Sequence, residues 1–125
     1  MIKIYAEKYL TAEDLIHLKK NSEKIKKAYL AYEEEGEEVE TWTRIEIPLK
    51  VARRLLSKRM LELLHLLSQR GEYSISELAR TLQRSTPNVH RDLVFLKRYG
   101  LITIIEKGHE KTPILLLRKI IIDIR

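Results

Sequence analysis

Residues 74–101, SISELARTLQRSTPNVHRDLVFLKRYGL, constrain the fold of this chain more than any other stretch. They hold two short helical patterns, a polar break between them and a glycine stop. Ile75, Leu78, Ala79 and Leu82 recur at three and four residues, which puts them on one helix face. Ser74 stands three residues before Glu77, the pattern of a capping box that satisfies free backbone N–H groups at a helix start. Gln83 and Arg84 interrupt the periodicity. Ser85 or Thr86 then caps a second helix, with Pro87 in its first turn, where the missing N–H costs nothing. Val89, Leu93 and Leu96 form the buried stripe of that helix, with Phe95 and Tyr99 on its flank. Gly100 predicts a left-handed helix end, and Leu101 the apolar contact that goes with it.

A helix pair joined by a turn of three or four residues is the architecture of a DNA-reading helix-turn-helix. The outer face of the second helix has chemistry to match. Thr86, Asn88, His90 and Arg91 lie in its first two turns, Lys97 and Arg98 in its last. Recognition helices read base edges from their N-terminal half and hold phosphates elsewhere. Arginine makes bidentate bonds to guanine and asparagine to adenine, and a helix N-terminus attracts phosphate through its free N–H groups. The plain alternative is a solvated helix face in an α-helical bundle.

The flanks add to the pattern. Upstream, Ser57 caps an amphipathic to fully buried helix that runs through Leu66-Leu67-Ser68 and stops at Arg70-Gly71. Downstream, the β-branched run Leu101 to Ile105 and the apolar run Pro113 to Leu117 flank the charged turn Lys107-Gly108-His109-Glu110-Lys111 and read as a hairpin. Helix, helix, turn, helix, hairpin is the order of a winged helix. Lys107, His109 and Lys111 at the wing tip are placed to touch a phosphate or enter a minor groove. The alternative for each is a solvent-exposed tip with no ligand.

Residues 57–124 resemble the winged helix-turn-helix of MarR-like and ArsR-like transcription regulators of bacteria and archaea. They are most similar to a prokaryotic group of DNA-binding proteins and antitoxins. The likeness rests on Ser76-Glu77-Leu78-Ala79, Asn88-Val89-His90-Arg91-Asp92-Leu93 and Leu96-Lys97-Arg98-Tyr99-Gly100-Leu101-Ile102. It implies that Thr86, Pro87, Asn88, His90 and Arg91 face a major groove. It also implies, more distantly, an antitoxin that neutralises a small toxin and autoregulates its operon. With the cap, turn and wing positions included, the expected DNA-contact set is Arg84, Ser85, Thr86, Pro87, Asn88, His90, Arg91, Lys97, Arg98, Lys107, His109 and Lys111.

The charge balance separates two stretches, an extension at residues 1–47 and a DNA-binding domain at 48–125. The first holds 8 Lys and Arg against 11 Asp and Glu, a balance of −3; the second holds 16 against 7, a balance of +9. Positive charge thus gathers on the helix-turn-helix stretch, as an electrostatic footprint for nucleic acid requires. The chain has no cysteine, hence no disulfide framework or thiolate metal site. No apolar run reaches the ~18 residues of a membrane span, and no signal peptide opens the chain, so a cytoplasmic protein without a membrane partner is expected. Charged residues make up 34%, while asparagine and glutamine number two each (Asn21, Asn88, Gln69, Gln83). That bias matches hyperthermophile proteins and points to a thermophilic archaeon.

In the extension, Met1 to Ala6 reads as a short strand, and Thr11-Ala12-Glu13-Asp14 signals the start of a long helix to about Glu35. Its stripe of Leu15, Leu18, Ser22, Ile25, Tyr29 and Tyr32 either packs on the body or meets a second subunit. A homodimer is expected, since two recognition helices then meet successive major-groove faces of a two-fold site. The run EEEGEEVE at residues 33–40 is either a solvated linker or a docking surface for a basic partner such as a toxin. Thr41 to Ile47 reads as a strand stopped by Pro48, and Leu49 to Leu56 as a short basic helix with Lys50, Arg53 and Arg54 that touches a DNA backbone or simply supports the fold. Ile120 to Ile124 reads as a buried strand that extends the wing, pairs with Met1–Ala6, or pairs with its copy in a partner.

Enzyme chemistry finds little footing. His17, His65, His90 and His109 fall on different elements, and neither a metal-ligand pair, a paired-carboxylate site nor a glycine-rich phosphate loop is present. His65, within an apolar helix, reads as a core histidine. No cofactor or metal is expected. The fold class is α+β: three helices and a hairpin wing, with an N-terminal strand and long helix. The expected function is a dimeric transcription regulator, a repressor that binds double-stranded DNA sequence-specifically. The rival classes are a winged helix that binds a protein, against which Arg84, Arg91, Lys97 and Arg98 argue, and an RNA or single-strand binder, disfavoured because no aromatic lies on the outer face.

Overall fold

Among the described residues, proline starts the first helix and serine starts the next three. The computed structural model describes residues 2–10, 41–69 and 72–125. The expected long helix from 12 to 35, the acidic run 33–40 and the stop at 70–71 lie outside these residues. Helix α1, Leu49–Leu55, follows Pro48, whose carbonyl accepts the N–H groups of Val51 and Ala52 at 3.0 Å each. Helix α2, Lys58–Ser68, is capped by the Ser57 hydroxyl, which accepts from the Met60 N–H. Helix α3, Ile75–Leu82, has the full capping box. The Glu77 N–H donates to Ser74 Oγ at 3.2 Å and the Ser74 N–H donates to Glu77 Oε1 at 3.3 Å. Helix α4, Thr86–Arg98, is capped by Ser85 and not Thr86; Ser85 Oγ accepts from the Asn88 N–H at 3.3 Å.

Two helix ends close in the same way. Gly100 takes φ +69; its N–H donates to Lys97 O at 3.0 Å and the Leu101 N–H to Leu96 O at 2.9 Å. This paired pattern is the Schellman motif, and Leu96 and Leu101 are both fully buried. At the end of α3, Gln83 adopts the left-handed conformation at φ 54. The Gln83 and Arg84 N–H groups bond back to Arg80 O and Ala79 O at 3.2 and 2.9 Å. The α3–α4 turn is therefore Gln83-Arg84-Ser85, three residues whose backbone donors are largely satisfied.

Strands β1, Lys3–Leu10, and β2, Thr41–Glu46, precede the helices; β3, Ile102–Lys107, β4, Glu110–Leu115, and β5, Leu117–Asp123, follow them. β3 and β4 make an antiparallel hairpin, and β2-β1-β5 make an antiparallel three-stranded sheet. The fold is thus α+β, with four helices among the described residues. The hairpin turn is tighter than the charge run implied. Lys107 pairs with Glu110, so only Gly108 and His109 turn, and Gly108 at φ +64 supplies the positive φ that a two-residue loop needs at its first position. The single residue Leu116 separates β4 from β5; its N–H and that of Leu117 both donate to Leu101 O, at 2.9 and 3.1 Å.

β1 pairs with both β2 and β5, so the first and last described strands are neighbours: Ala6 lies between Ile45 and Ile120. Of the three placements open to the C-terminal run, the structure has it beside β1. β1 also runs further than the expected Met1–Ala6, because pairing on both sides carries it through the polar Glu7 and Lys8. The inward residues Ile4, Ala6 and Ile47 join one core with Val51, Leu55, Met60, Leu63, Leu78, Val89, Leu93, Leu96 and Leu101.

Two expectations need correction. His65 is exposed, not in the core; its ring nitrogen lies 3.2 Å from Gln69 Nε2. It shares α2 with buried Met60, Leu63 and Leu64, but that helix buries one face only, and Leu61 is exposed beside it. The C-terminal run is not buried throughout. β5 is a sheet edge, and Ile122 and Ile124 are exposed, together with Ile2 on the paired end of the chain.

Candidate nucleic-acid interface

The site is built by α4. Its periodicity sorts thirteen residues into an anchored side and a free side. Val89, Leu93 and Leu96 are all but inaccessible to solvent, and Phe95 is buried with them, in edge contact with Tyr99 at 5.1 Å between centroids. Thr86, Pro87, Asn88, His90 and Arg91 are exposed along the first two turns, with Ser85 just ahead; Lys97 and Arg98 are exposed in the last. These positions form one continuous surface because three- and four-residue spacings place neighbours on the same helix face.

Val94 belongs to this surface and the sequence reading passed over it. It is 42% exposed, one turn from His90, Arg91, Lys97 and Arg98. Val94 falls in the run LVFL at residues 93–96, and a run of four apolar residues hides which one points outward.

Arg84 is held apart from that face. Its Nη2 lies 2.6 Å from Asp92 Oδ2, and the two side chains are only 12% and 15% exposed. The other Asp92 oxygen accepts from Arg54 Nη2 of α1 at 3.2 Å. The Arg54 guanidinium also sits 4.0 Å from the centroid of the Phe95 ring, a cation–π contact. Asp92 thus ties α1 and the turn before α4 to α4 itself. Beside the tie lies a cleft of about 240 Å³, which adds Arg54 and Arg59 to the arginines of the site. A larger groove, about 660 Å³, runs between α2 and the β4–β5 segment and shares no residue with α4.

The hairpin tip carries His109 and Lys111, both exposed. Lys107 is in β3, opposite Glu110, and its side chain is not described. No group of three His, Asp or Glu capable of holding a metal ion stands together among the described residues. No helix among them is long and apolar enough to cross a membrane.

A family model, HVO_A0114, matches residues 55–122, more than half of the chain. The chain belongs to the HVO_A0114 family. The match starts at the last residue of α1, takes in α2, α3, α4 and the hairpin, and ends within β5. Every residue of the exposed α4 surface therefore lies in the HVO_A0114 region, whereas β1, β2 and Arg54 lie ahead of it. No curated protein matches the chain.

Proposed function

We propose that this protein is a winged helix-turn-helix regulator, kin to the MarR-like group, that binds duplex DNA with α4 in the major groove and represses transcription. The observation that carries this reading is the partition of α4: three residues with essentially no solvent access hold the helix down, while Thr86, Pro87, Asn88, His90 and Arg91 are free along its N-terminal half. That half is where recognition helices meet base edges. Asn88 and Arg91 have the donors and acceptors for adenine and guanine, and Val94 offers the apolar contact that recognises a thymine methyl group. Lys97 and Arg98, a turn or more further along, are phosphate ligands. The hairpin serves as the wing, with His109 and Lys111 beside the backbone.

In this reading the protein acts as a two-fold dimer. Support comes from β5, an edge of the sheet among the described residues, where exposed Ile122, Ile124 just past the strand and Ile2 beside it make the kind of apolar edge that native proteins cover. Sedimentation equilibrium gives the oligomeric state directly, and a monomer at all concentrations removes this part.

The central test is a gel shift on the region upstream of the protein's own gene, at two salt concentrations. Arg91→Ala erases preference for that region over unrelated duplex. Lys97→Ala weakens binding to every sequence and reduces the salt slope by about 0.9, the value for one lost phosphate contact on B-DNA. No retardation of any duplex at low salt refutes the reading.

A further inference from the structure

We propose that the cleft between α1 and the first turns of α4 seats one backbone phosphate of the bound duplex, and that Asp92 is the positioning residue that holds two of its arginines ready. This rests on the duplex-binding reading above. The cleft, about 240 Å³, is lined by Arg54, Arg59, Arg84, Asn88, Arg91 and Asp92, among others. Four arginines line the cleft beside one carboxylate, a charge balance that favours an anion.

The carboxylate is fully engaged. Oδ1 accepts from Arg54 and Oδ2 from Arg84, which leaves one positive charge of that trio uncompensated. On the Arg84 side of the trio water reaches poorly, because Arg84 is 12% exposed and Asp92 15%, whereas Arg54 is 41% exposed and faces solvent. Arg84 also keeps Nε and Nη1 buried with no protein acceptor among the described residues. Native structures rarely leave buried donors unmatched, and an absent ion or water is a standing explanation. Arg59 and Arg91 are exposed and have no carboxylate partner among the described residues. A phosphodiester supplies two non-bridging oxygens that share one negative charge, in a geometry that guanidinium forks match two bonds at a time.

Backbone phosphate is favoured over a free anion because the cleft shares Asn88 and Arg91 with the exposed α4 surface. A phosphate seated there sets the register in which those two side chains meet base edges. Arg54 and Arg84 arrive already oriented, by Asp92 and by the Phe95 ring, so little rotamer freedom is lost when the phosphate enters.

The test is fluorescence anisotropy of the full chain with a labelled random-sequence duplex over a salt series. Arg59→Ala lowers the salt slope by about 0.9, one phosphate's worth. Asp92→Asn weakens binding roughly tenfold, the scale of one charge-assisted hydrogen bond. Its sign discriminates: simple charge counting makes removal of a carboxylate near DNA tighten binding. Thermal melts show whether each variant is folded, and exposed Arg59 decides the matter if Asp92→Asn is not. Wild-type protein that binds no duplex overturns the duplex-binding reading and the seat with it. Wild-type protein that binds, with an unchanged slope in Arg59→Ala or tighter binding in folded Asp92→Asn, overturns the seat alone. Inorganic phosphate titrated without DNA separates the sources. Saturable binding that Arg59→Ala abolishes, while duplex affinity stays unchanged, overturns the backbone assignment in favour of a free anion.

Discussion

Asp92→Ala should be among the most damaging single substitutions near α4, and far more damaging than removal of the arginine on its other side. The Arg84–Asp92 pair is short, 2.6 Å, with side chains 12% and 15% exposed. Without Asp92, Arg84 loses its acceptor at Nη2 while Nε and Nη1 already have none, so a nearly buried guanidinium is left with three unmatched nitrogens. Breaking a buried pair from one side costs about 3–5 kcal/mol. The residual water contact of both groups places the expected loss near the lower end, about 3 kcal/mol. Arg54→Ala removes a 3.2 Å contact from a side chain that is 41% exposed. Exposed pairs contribute about 0.2–1 kcal/mol and an exposed cation–π contact about 0.5–1, so the loss is about 0.7–2 kcal/mol. Urea denaturation reads both. With a slope of about 1–3 kcal/mol per molar urea, Asp92→Ala lowers the midpoint by at least about 1 M and leaves the slope unchanged. The double variant Arg84→Ala/Asp92→Ala loses less than the sum of its singles, because the orphaned charge is gone. An Asp92→Ala loss below about 1 kcal/mol, or one equal to that of Arg54→Ala, refutes the argument: the pair would then be screened as surface pairs are.

Two further outcomes follow from backbone and packing. Gln83→Gly stabilises the protein by about 0.5–1 kcal/mol in the same denaturation assay. A non-glycine residue at φ 54 carries a left-handed cost of about 1–2 kcal/mol, partly offset by the unfolded-state entropy of glycine. Leu96→Ala and Val94→Ala separate the two sides of α4. Leu96→Ala, with no exposure to relax into, loses about 2–5 kcal/mol. Val94→Ala stays within about 0.5 kcal/mol of wild type yet alters sequence preference at one base step in a selection from random duplexes. An unchanged preference in Val94→Ala removes the thymine-methyl contact.

The legible part of this fold was the local part. A serine hydroxyl meets a backbone N–H three residues on, and a glycine ends a helix by its own φ, so Ser57, Ser74, Ser85 and Gly100 announced helix limits without help from the rest of the chain. The split of α4 was legible for the same reason, since a 3.6-residue period sorts Val89, Leu93 and Leu96 from Asn88, His90 and Arg91. Local pattern stops being informative where polarity and burial part company. His65 keeps apolar company in sequence, which suggests a core residue, yet it lies on the exposed side of α2. Val94 was hidden inside an apolar run. Arg84 read as one more surface cation on the turn because its partner is eight residues away.

By itself, the sequence determined the helix limits to within a residue or so, a turn of three or four residues, the anchored and free sides of α4, and the concentration of positive charge after residue 47. All of these follow from interactions spanning a few residues, or from composition. Tertiary structure alone decided three other things. It set β5 against β1, pairing residues some 110 positions apart, such as Ala6 with Ile120. It brought Arg54, from a helix 38 residues upstream, to the same carboxylate as Arg84. In doing so it turned four scattered arginines into one cleft. Charge and hydrogen-bond partners act through space, and no periodicity along the chain encodes which distant group will stand within 3 Å of another.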